Sequence, residues 1–345
     1  MAEESEVLFE RRGAIGLITL NRPKALNALT HAMCLEMKPQ LNAWAVDADI
    51  KSVVIRGAGE RAFCAGGDIR ALYESGKAGT PYALDFYRDE YILDATIKHF
   101  PKPYIALIHG IVMGGGVGVS VHGSHRVAGE AAMFAMPETG IGLFPDVGGS
   151  YFLPRCPGQI GMYLALTGAR LRTADTLYAG VATHFVPTAK WETLIGQLVD
   201  GAAPDDALKS LSDKVPGDFL SEHRAAIDRV FGGNSIEEIL SALDAEHTDW
   251  AKDTAATIRA KSPTSLKITF RQIREGAKLE FDECMQMEFR MVNRIIAGHD
   301  FYEGVRATII DKDGAPKWKP AELSKVGEAD VQAYFAPLNN KELPI

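Results

Sequence analysis

Glu138 and Asp146 flank GIGLFP inside a loop rich in glycine and proline, MPETGIGLFPDVGG, and are the strongest candidates in the chain for acid–base or nucleophilic chemistry. Eight residues of helix would hold them about 12 Å apart, but Gly140, Gly142 and Pro145 forbid a regular helix, and a folded-back loop can bring both to one pocket. Loop carboxylates are usually solvated. These sit among Phe134, Met136, Ile141, Leu143 and Phe144, where partial desolvation raises a carboxyl pKa toward values useful for proton transfer. Two glycine turns, FCAGGDI at 63–69 and HGIVMGGGVG at 109–118, each run into a helical pattern. Glycine allows positive φ and close approach of a ligand, and a helix start offers unpaired N–H groups with partial positive charge. Two such N–H groups converging on one point make an oxyanion hole.

Other chemistries lack their residues. Neither glycine turn spells GxGxxG, no GK[ST] marks a phosphate loop, and no GxSxG carries a serine nucleophile. His122 and His125 form HxxH without a third suitably spaced ligand, so no metal is expected. Cys34, Cys64, Cys156 and Cys284 are scattered thiols rather than a disulfide framework, and Cys64 is expected to line the first turn.

Alternating strands and helices must position these groups. Runs 6–11 and 15–20 read as a hairpin, 52–56 and 104–108 as buried strands, and Thr30, Asp68 and residues 113–116 as helix starts, with a further helix over 82–99. Beyond about residue 187 strand signals fade, and 235–245, 263–276 and 279–297 read as helices. A chain of 345 residues exceeds what one core usually organises, roughly 250–300. The expected division is therefore an α/β core over 1–204 and a mainly helical region over 205–345 that covers the active site.

The net charge of −8 and the lack of a Lys/Arg-rich tract argue against nucleic-acid and membrane-surface partners. The start, MAEESEVLFERRG, is acidic with no apolar run, which points to the cytoplasm.

The runs LNRPKALNAL (20–29), AFCAGGDI (62–69) and KPYIALIHGIVMGGGVGVSVHG (102–123) resemble the crotonase, or enoyl-CoA hydratase/isomerase, superfamily. Further runs, FAMPETGIGLFPDVGGSYFLPR (134–155), LALTGARL (164–171), ATHFV (182–186), SLKIT (265–269) and GHDFYEGVRATIIDKDGAPKWKPA (298–321), are most similar to its 3-hydroxyisobutyryl-CoA hydrolase branch. The resemblance implies an α/β fold, a spiral of ββα turns with a helical C-terminal region, that takes an acyl-CoA thioester. On its pattern Gly67 and Gly115 supply the oxyanion-hole N–H groups. CoA is held along Lys24, Ala25 and Leu26 and along Ala65, Gly66, Gly67, Asp68 and Ile69. Glu90, Gly115, Glu138 and Asp146 surround the acyl group, with Glu138 and Asp146 catalytic.

One departure is informative. Hydratases of the superfamily carry a first catalytic glutamate where this chain has Gly118, while Glu138 matches their second. Adding water across a double bond needs the pair; cleaving a thioester needs one carboxylate as nucleophile or base and a second group to manage the hydroxyl or protons. The implied reaction is hydrolysis of 3-hydroxyisobutyryl-CoA in valine breakdown, with CoA part of the substrate and no separate cofactor. The alternatives are a hydratase or isomerase using Glu138 alone, and a non-catalytic acyl-CoA-binding protein. Assembly is left open between a monomer and a homo-oligomer, trimer or hexamer, as the superfamily forms. Arg22, Lys24, Arg61 and Arg70 are the cations near the first turn that CoA phosphates could use.

Overall fold

VLFERR and IGLITL form the expected hairpin as β1 (Val7–Arg12) and β2 (Ile15–Leu20), turning at Gly13 with φ 51°. Every residue of β2 is buried because β3 (Ser52–Gly57) pairs with its other edge in parallel, which is why IGLITL shows little apolar–polar alternation. The computed structural model describes residues 5–215 and 218–345. The remaining strands are β4 (Ala62–Cys64), β5 (Tyr104–Ile108), β6 (Ile111–Met113), β7 (His125–Ala128), β8 (Met133–Ala135), β9 (Leu171–Arg172) and β10 (His184–Phe185). They make a six-stranded sheet in the order β1-β2-β3-β5-β7-β10 and a four-stranded sheet in the order β4-β6-β8-β9.

From β3 to β8 the chain lays one strand in the large sheet and the next in the small one, and two of these three strand pairs lead directly into a helix. β3 and β4 lead to helix Ile69–Ala78, and β5 and β6 lead to helix Gly115–Val121. This is the ββα spiral that the resemblance implies. The second strand of each turn escapes a reading of periodicity because AFC, IVM and MFA are three residues long, too short to show any period.

The chain divides into two units, but not at residue 204. One unit takes Met1–Gly67, Ile92–Ala135 and Arg170–Ser221; the other takes Asp68–Tyr91, Met136–Ala169 and Glu222–Ile345. The fading of strand signals marks a change of secondary structure, not a boundary of contacts. Helices Trp191–Val199 and Pro204–Leu211 carry Leu194, Leu198 and Leu208 onto a core with Leu17, Val54, Ile105 and Val127, and so belong with the sheets. The carboxylate loop, well before residue 204, clusters with the C-terminal helices instead.

That second unit is mainly helical, including helix Asp249–Arg259, which the sequence reading did not place, and side chains cap several of its helix starts. Ser235, Thr248 and Ser262 accept from the backbone N–H groups of Glu238, Ala251 and Ser265, each cap worth about 1 kcal/mol. After helix Asp300–Val305 the chain folds back. Arg306 pairs with Glu303, Asp311 and Asp313, and the Trp318 indole donates to the Ala260 carbonyl at 3.0 Å. No helix among the described residues is long and apolar enough to cross a membrane.

Candidate active site

Glu138 opens a 3-10 turn, Glu138–Ile141, that ends at Gly142 with φ 72°. A side chain on Gly142 would collide with the backbone of Asp300, so the position demands glycine twice over. The Ser262 N–H donates to the Thr139 carbonyl at 3.3 Å, tying the turn to helix Pro263–Gly276. Glu138 is 5% exposed, and among the described residues its Oε2 has no hydrogen-bond partner. Burial first, then the charge of Asp146, raises its pKa well above the ordinary carboxylate value; the half-buried Lys261 ammonium opposes the shift. The apolar setting read from the sequence does desolvate this carboxylate.

Asp146 is equally buried at 4% exposure, and its Oδ2 accepts from the Tyr91 hydroxyl at 3.0 Å. Burial pushes its pKa up to about 7, against the Tyr91 hydrogen bond, which lowers it. The chain then passes through Val147 (φ 49°) and Gly148 (φ 83°). A β-branched residue in the left-handed region is strained and persists only where its surroundings hold it. Glu288 does the holding. Its Oε2 accepts from Gly148 N at 2.9 Å, and its Oε1 from Ser150 N at 2.9 Å and from the Ser150 hydroxyl. On the other side Gln272 Nε2 donates to the Pro145 carbonyl at 2.7 Å.

Sequence reasoning missed Glu288, which is fully buried with its pKa raised to about 8 by desolvation. It lies some 140 residues away from the loop it holds. The signal was present: helix Phe281–Ile296 buries Phe281, Cys284, Met285, Met291, Val292 and Ile295 along one stripe, and Glu288 stands in the middle of it. A carboxylate on an apolar stripe is a buried group in need of donors.

The same signal recurs on helix Tyr82–Lys98. Glu90 is 2% exposed, not a solvated face, and Tyr87 and Tyr91 flank it at i−3 and i+1 with both rings buried. Tyr87 and Tyr91 lie one turn apart with centroids at 5.9 Å, edge to face, and Tyr91 meets Phe289 in the same way at 6.4 Å. Sequence position alone had left Tyr87 and Tyr91 unread.

The glycine turns form in the other unit. They follow β4 and β6, neighbouring parallel strands, so both leave the same end of the small sheet. Gly66 sits at φ 119°, and a Cβ there would stand 3.5 Å from the Met113 carbonyl oxygen. Gly116 could carry no side chain, which would run into the Cys64 carbonyl; Cys64 itself is buried and lines the turn. Gly115 is the first residue of its helix, so its N–H has no intrahelical acceptor. Leu29 N donates to the Gly66 carbonyl at 2.8 Å across a parallel bridge between Leu29 and Gly67, which leaves the Gly67 N–H aimed away from that strand. Lys24, Ala25 and Leu26 fall in and just after a 3-10 turn, and Ala65 N donates to the Leu26 carbonyl at 3.0 Å, so this strip lies beside the first turn. The buried Asn27 pins it, donating to the carbonyls of Ala58 and Ala62 at 2.9 Å each. Asp68 caps helix Ile69–Ala78 by accepting from Ala71 N. Of the cations, Arg22 is committed to Glu6 and to the Ala28 carbonyl, whereas Lys24 and Arg61 are exposed.

Residues 15–335 match the family model described as enoyl-CoA hydratase/isomerase. The chain belongs to that family. It is 53% identical to a Danio rerio protein named 3-hydroxyisobutyryl-CoA hydrolase, mitochondrial, the match covering 99% of this chain and 92% of that one. A Homo sapiens protein of the same name is 48% identical, covering 98% and 90%. Among solved structures, a carnitinyl-CoA dehydratase from Mycobacterium thermoresistibile superposes with a TM-score of 0.94 at 43% identity, covering 99% of this chain and 98% of that one. An enoyl-CoA hydratase from Rhodobacter sphaeroides gives 0.93 at 41%, covering 99% and 100%. Both hydrolase relatives are named as mitochondrial, which overturns the cytoplasmic location expected from the first dozen residues. The charge and hydropathy of so short a stretch report on that stretch alone, not on the compartment.

In this hydratase/isomerase family member the buried carboxyls carry a pH signature. Asp146 and Glu288 have folded pKa values near 7 and 8, above ordinary values of 3.8 and 4.5. Between those limits the folded state holds protons that the unfolded chain has released, so their contribution to stability is full below about pH 4 and is lost as pH rises through 7 to 8. The melting temperature of the ligand-free protein is expected to fall between pH 5.5 and 8.5, by an amount corresponding to a few kcal/mol in total. A flat or rising profile in differential scanning calorimetry would contradict this.

Proposed function

We propose that this protein hydrolyses a short β-hydroxyacyl-CoA thioester, converting 3-hydroxyisobutyryl-CoA to 3-hydroxyisobutyrate and CoA. The observation that carries the reading is the buried Glu138, with one carboxylate oxygen uncommitted, in a chain that has Gly118 where hydratases hold their other glutamate. A carboxylate with a free oxygen suits attack on a carbonyl or on water, whereas concerted hydration needs a second glutamate at the position of Gly118. Identity of about half over nearly the whole length to proteins named for this activity supports the same substrate.

On this reading the N–H groups of Gly67 and Gly115 stabilise the oxyanion, each worth roughly 10²–10³ in rate. Glu138 attacks the carbonyl to give an anhydride that water then opens, or activates water directly; the C–S bond breaks, the departing CoA thiolate takes the proton that water gives up, and Asp146 binds the acyl hydroxyl or carries that proton, with Glu90 bounding the acyl pocket. Lys24–Leu26 and Ala65–Ile69 hold CoA through main-chain groups, and CoA enters as part of the substrate, with no separate cofactor. The step belongs to valine breakdown.

The names of the solved neighbours favour a second reading, a hydratase or dehydratase. One experiment separates them: thiol release from 3-hydroxyisobutyryl-CoA against loss of the enoyl absorbance of crotonyl-CoA. Thiol release without enoyl loss is expected. Enoyl loss without thiol release would reverse the assignment, and tight thioester binding with neither would make the protein a binding module.

A further inference from the structure

Tyr87 is a polar group that the fold buries and leaves unanswered. The residue is 2% exposed, and among the described residues its hydroxyl has no hydrogen-bond partner. Buried phenols ordinarily find one. Tyr91, one turn further along the same helix face, is as deeply buried and commits its hydroxyl to Asp146. The charges that bear on the Tyr87 phenol are those of Asp146, Glu90 and Glu138, in that order, ahead of Tyr302. The Tyr87 ring meets that of Tyr91 edge to face at 5.9 Å, and Tyr91 reaches Asp146, so the orphan hydroxyl adjoins the carboxylate cluster, and the cluster has an imbalance. A carboxylate that acts as nucleophile or base is ionised and only accepts hydrogen bonds. A hydroxyl on an acyl chain has one proton to give, which a carboxylate can take, and lone pairs to fill, which a carboxylate cannot. The Tyr91 proton is already spent on Asp146, and the Lys261 ammonium acts on Glu138.

We propose that Tyr87 recognises the hydroxyl of the acyl chain, donating its phenolic proton to the hydroxyl oxygen while a carboxylate of the cluster accepts the hydroxyl proton. Tyr87 thereby sets the preference for hydroxyacyl over plain acyl thioesters. The proposal rests on the thioester-hydrolase reading. A site that hydrogen-bonds a substrate hydroxyl rejects the analogue lacking it because its own buried polar groups are then left unpaired.

The test compares kcat/KM of the wild type and Tyr87→Phe on 3-hydroxyisobutyryl-CoA and on isobutyryl-CoA. The ratio of the two is expected to fall roughly 10- to 100-fold, mostly through the hydroxyacyl substrate. An equal fall on both substrates, or an unchanged ratio, would overturn the assignment. A readout without substrate guards against a structural role: the ligand-free Tyr87→Phe protein should melt no lower than the wild type, since the hydroxyl removed has no partner to lose. A drop of several degrees would reveal such a partner and overturn the proposal. Wild-type protein that cleaves neither thioester defeats the functional reading and the proposal with it. Wild-type turnover without discrimination defeats the Tyr87 assignment alone.

Discussion

Glu138→Gln is expected to lower thioester hydrolysis by roughly 10³-fold or more while leaving the protein folded. The amide keeps the size and shape of the side chain but is neither nucleophile nor base. Stability should not suffer, because the carboxylate is held by little: one oxygen is uncommitted, and both desolvation and the Asp146 charge disfavour its ionised form. Above pH 7 the variant should melt at or above the wild-type temperature, since the neutral amide relieves a buried charge of its like-charged neighbour. Undiminished thiol release from the variant would remove Glu138 from the reaction. The wild type can also reveal the covalent route. Oxygen-18 from solvent appearing in the Glu138 carboxylate after a single turnover indicates an acyl-enzyme anhydride opened by water. Label confined to the released acid fits either direct attack by water or an anhydride opened at its acyl carbon.

The second large effect is structural in origin and catalytic in consequence. Glu288→Leu removes the acceptor for Gly148 N, Ser150 N and the Ser150 hydroxyl together. Each buried donor left unpaired costs about 1–3 kcal/mol, partly offset because the substitution no longer buries a carboxyl group. A net loss of roughly 3–5 kcal/mol is expected. The left-handed Val147 would lose the anchor on its C-terminal side, and Asp146 with it would be less well placed. Turnover should therefore fall even at temperatures where the variant is fully folded, and Glu288→Gln should fall between Leu and wild type. Gln keeps one acceptor but must turn its amide N–H toward another donor. Chemical denaturation and turnover measured on the same preparations check both parts. Equal stability of Glu288→Leu and wild type would show that the loop holds itself.

How much of this was legible in advance depended on the range of the interaction. The hairpin, the strand over Tyr104–Ile108 and the capped helices at Thr30, Ser235 and Ser262 follow from residues within a turn or two of one another. The glycine turns were legible for the same reason: the positive φ of Gly66, 119°, and of Gly114, 45°, favours glycine whatever surrounds it. The three-residue strands were not, since three residues hold no period. The division of the chain at residue 204 failed because contacts, not composition, decide which helices share a core.

By itself the sequence determined the family, the carboxylate pair at Glu138 and Asp146, the glycine turns and the absence, at Gly118, of the first hydratase glutamate. All of these are properties of residue type at a position. Tertiary structure alone decided that Glu90 is buried, that Glu288 secures the Asp146 loop, that Arg22 is spent on Glu6, and that the buried Tyr87 hydroxyl has no hydrogen-bond partner among the described residues. The physical reason is common to the four. Desolvation and hydrogen-bond satisfaction depend on what packs around a polar atom, and those neighbours come from segments far apart in the chain.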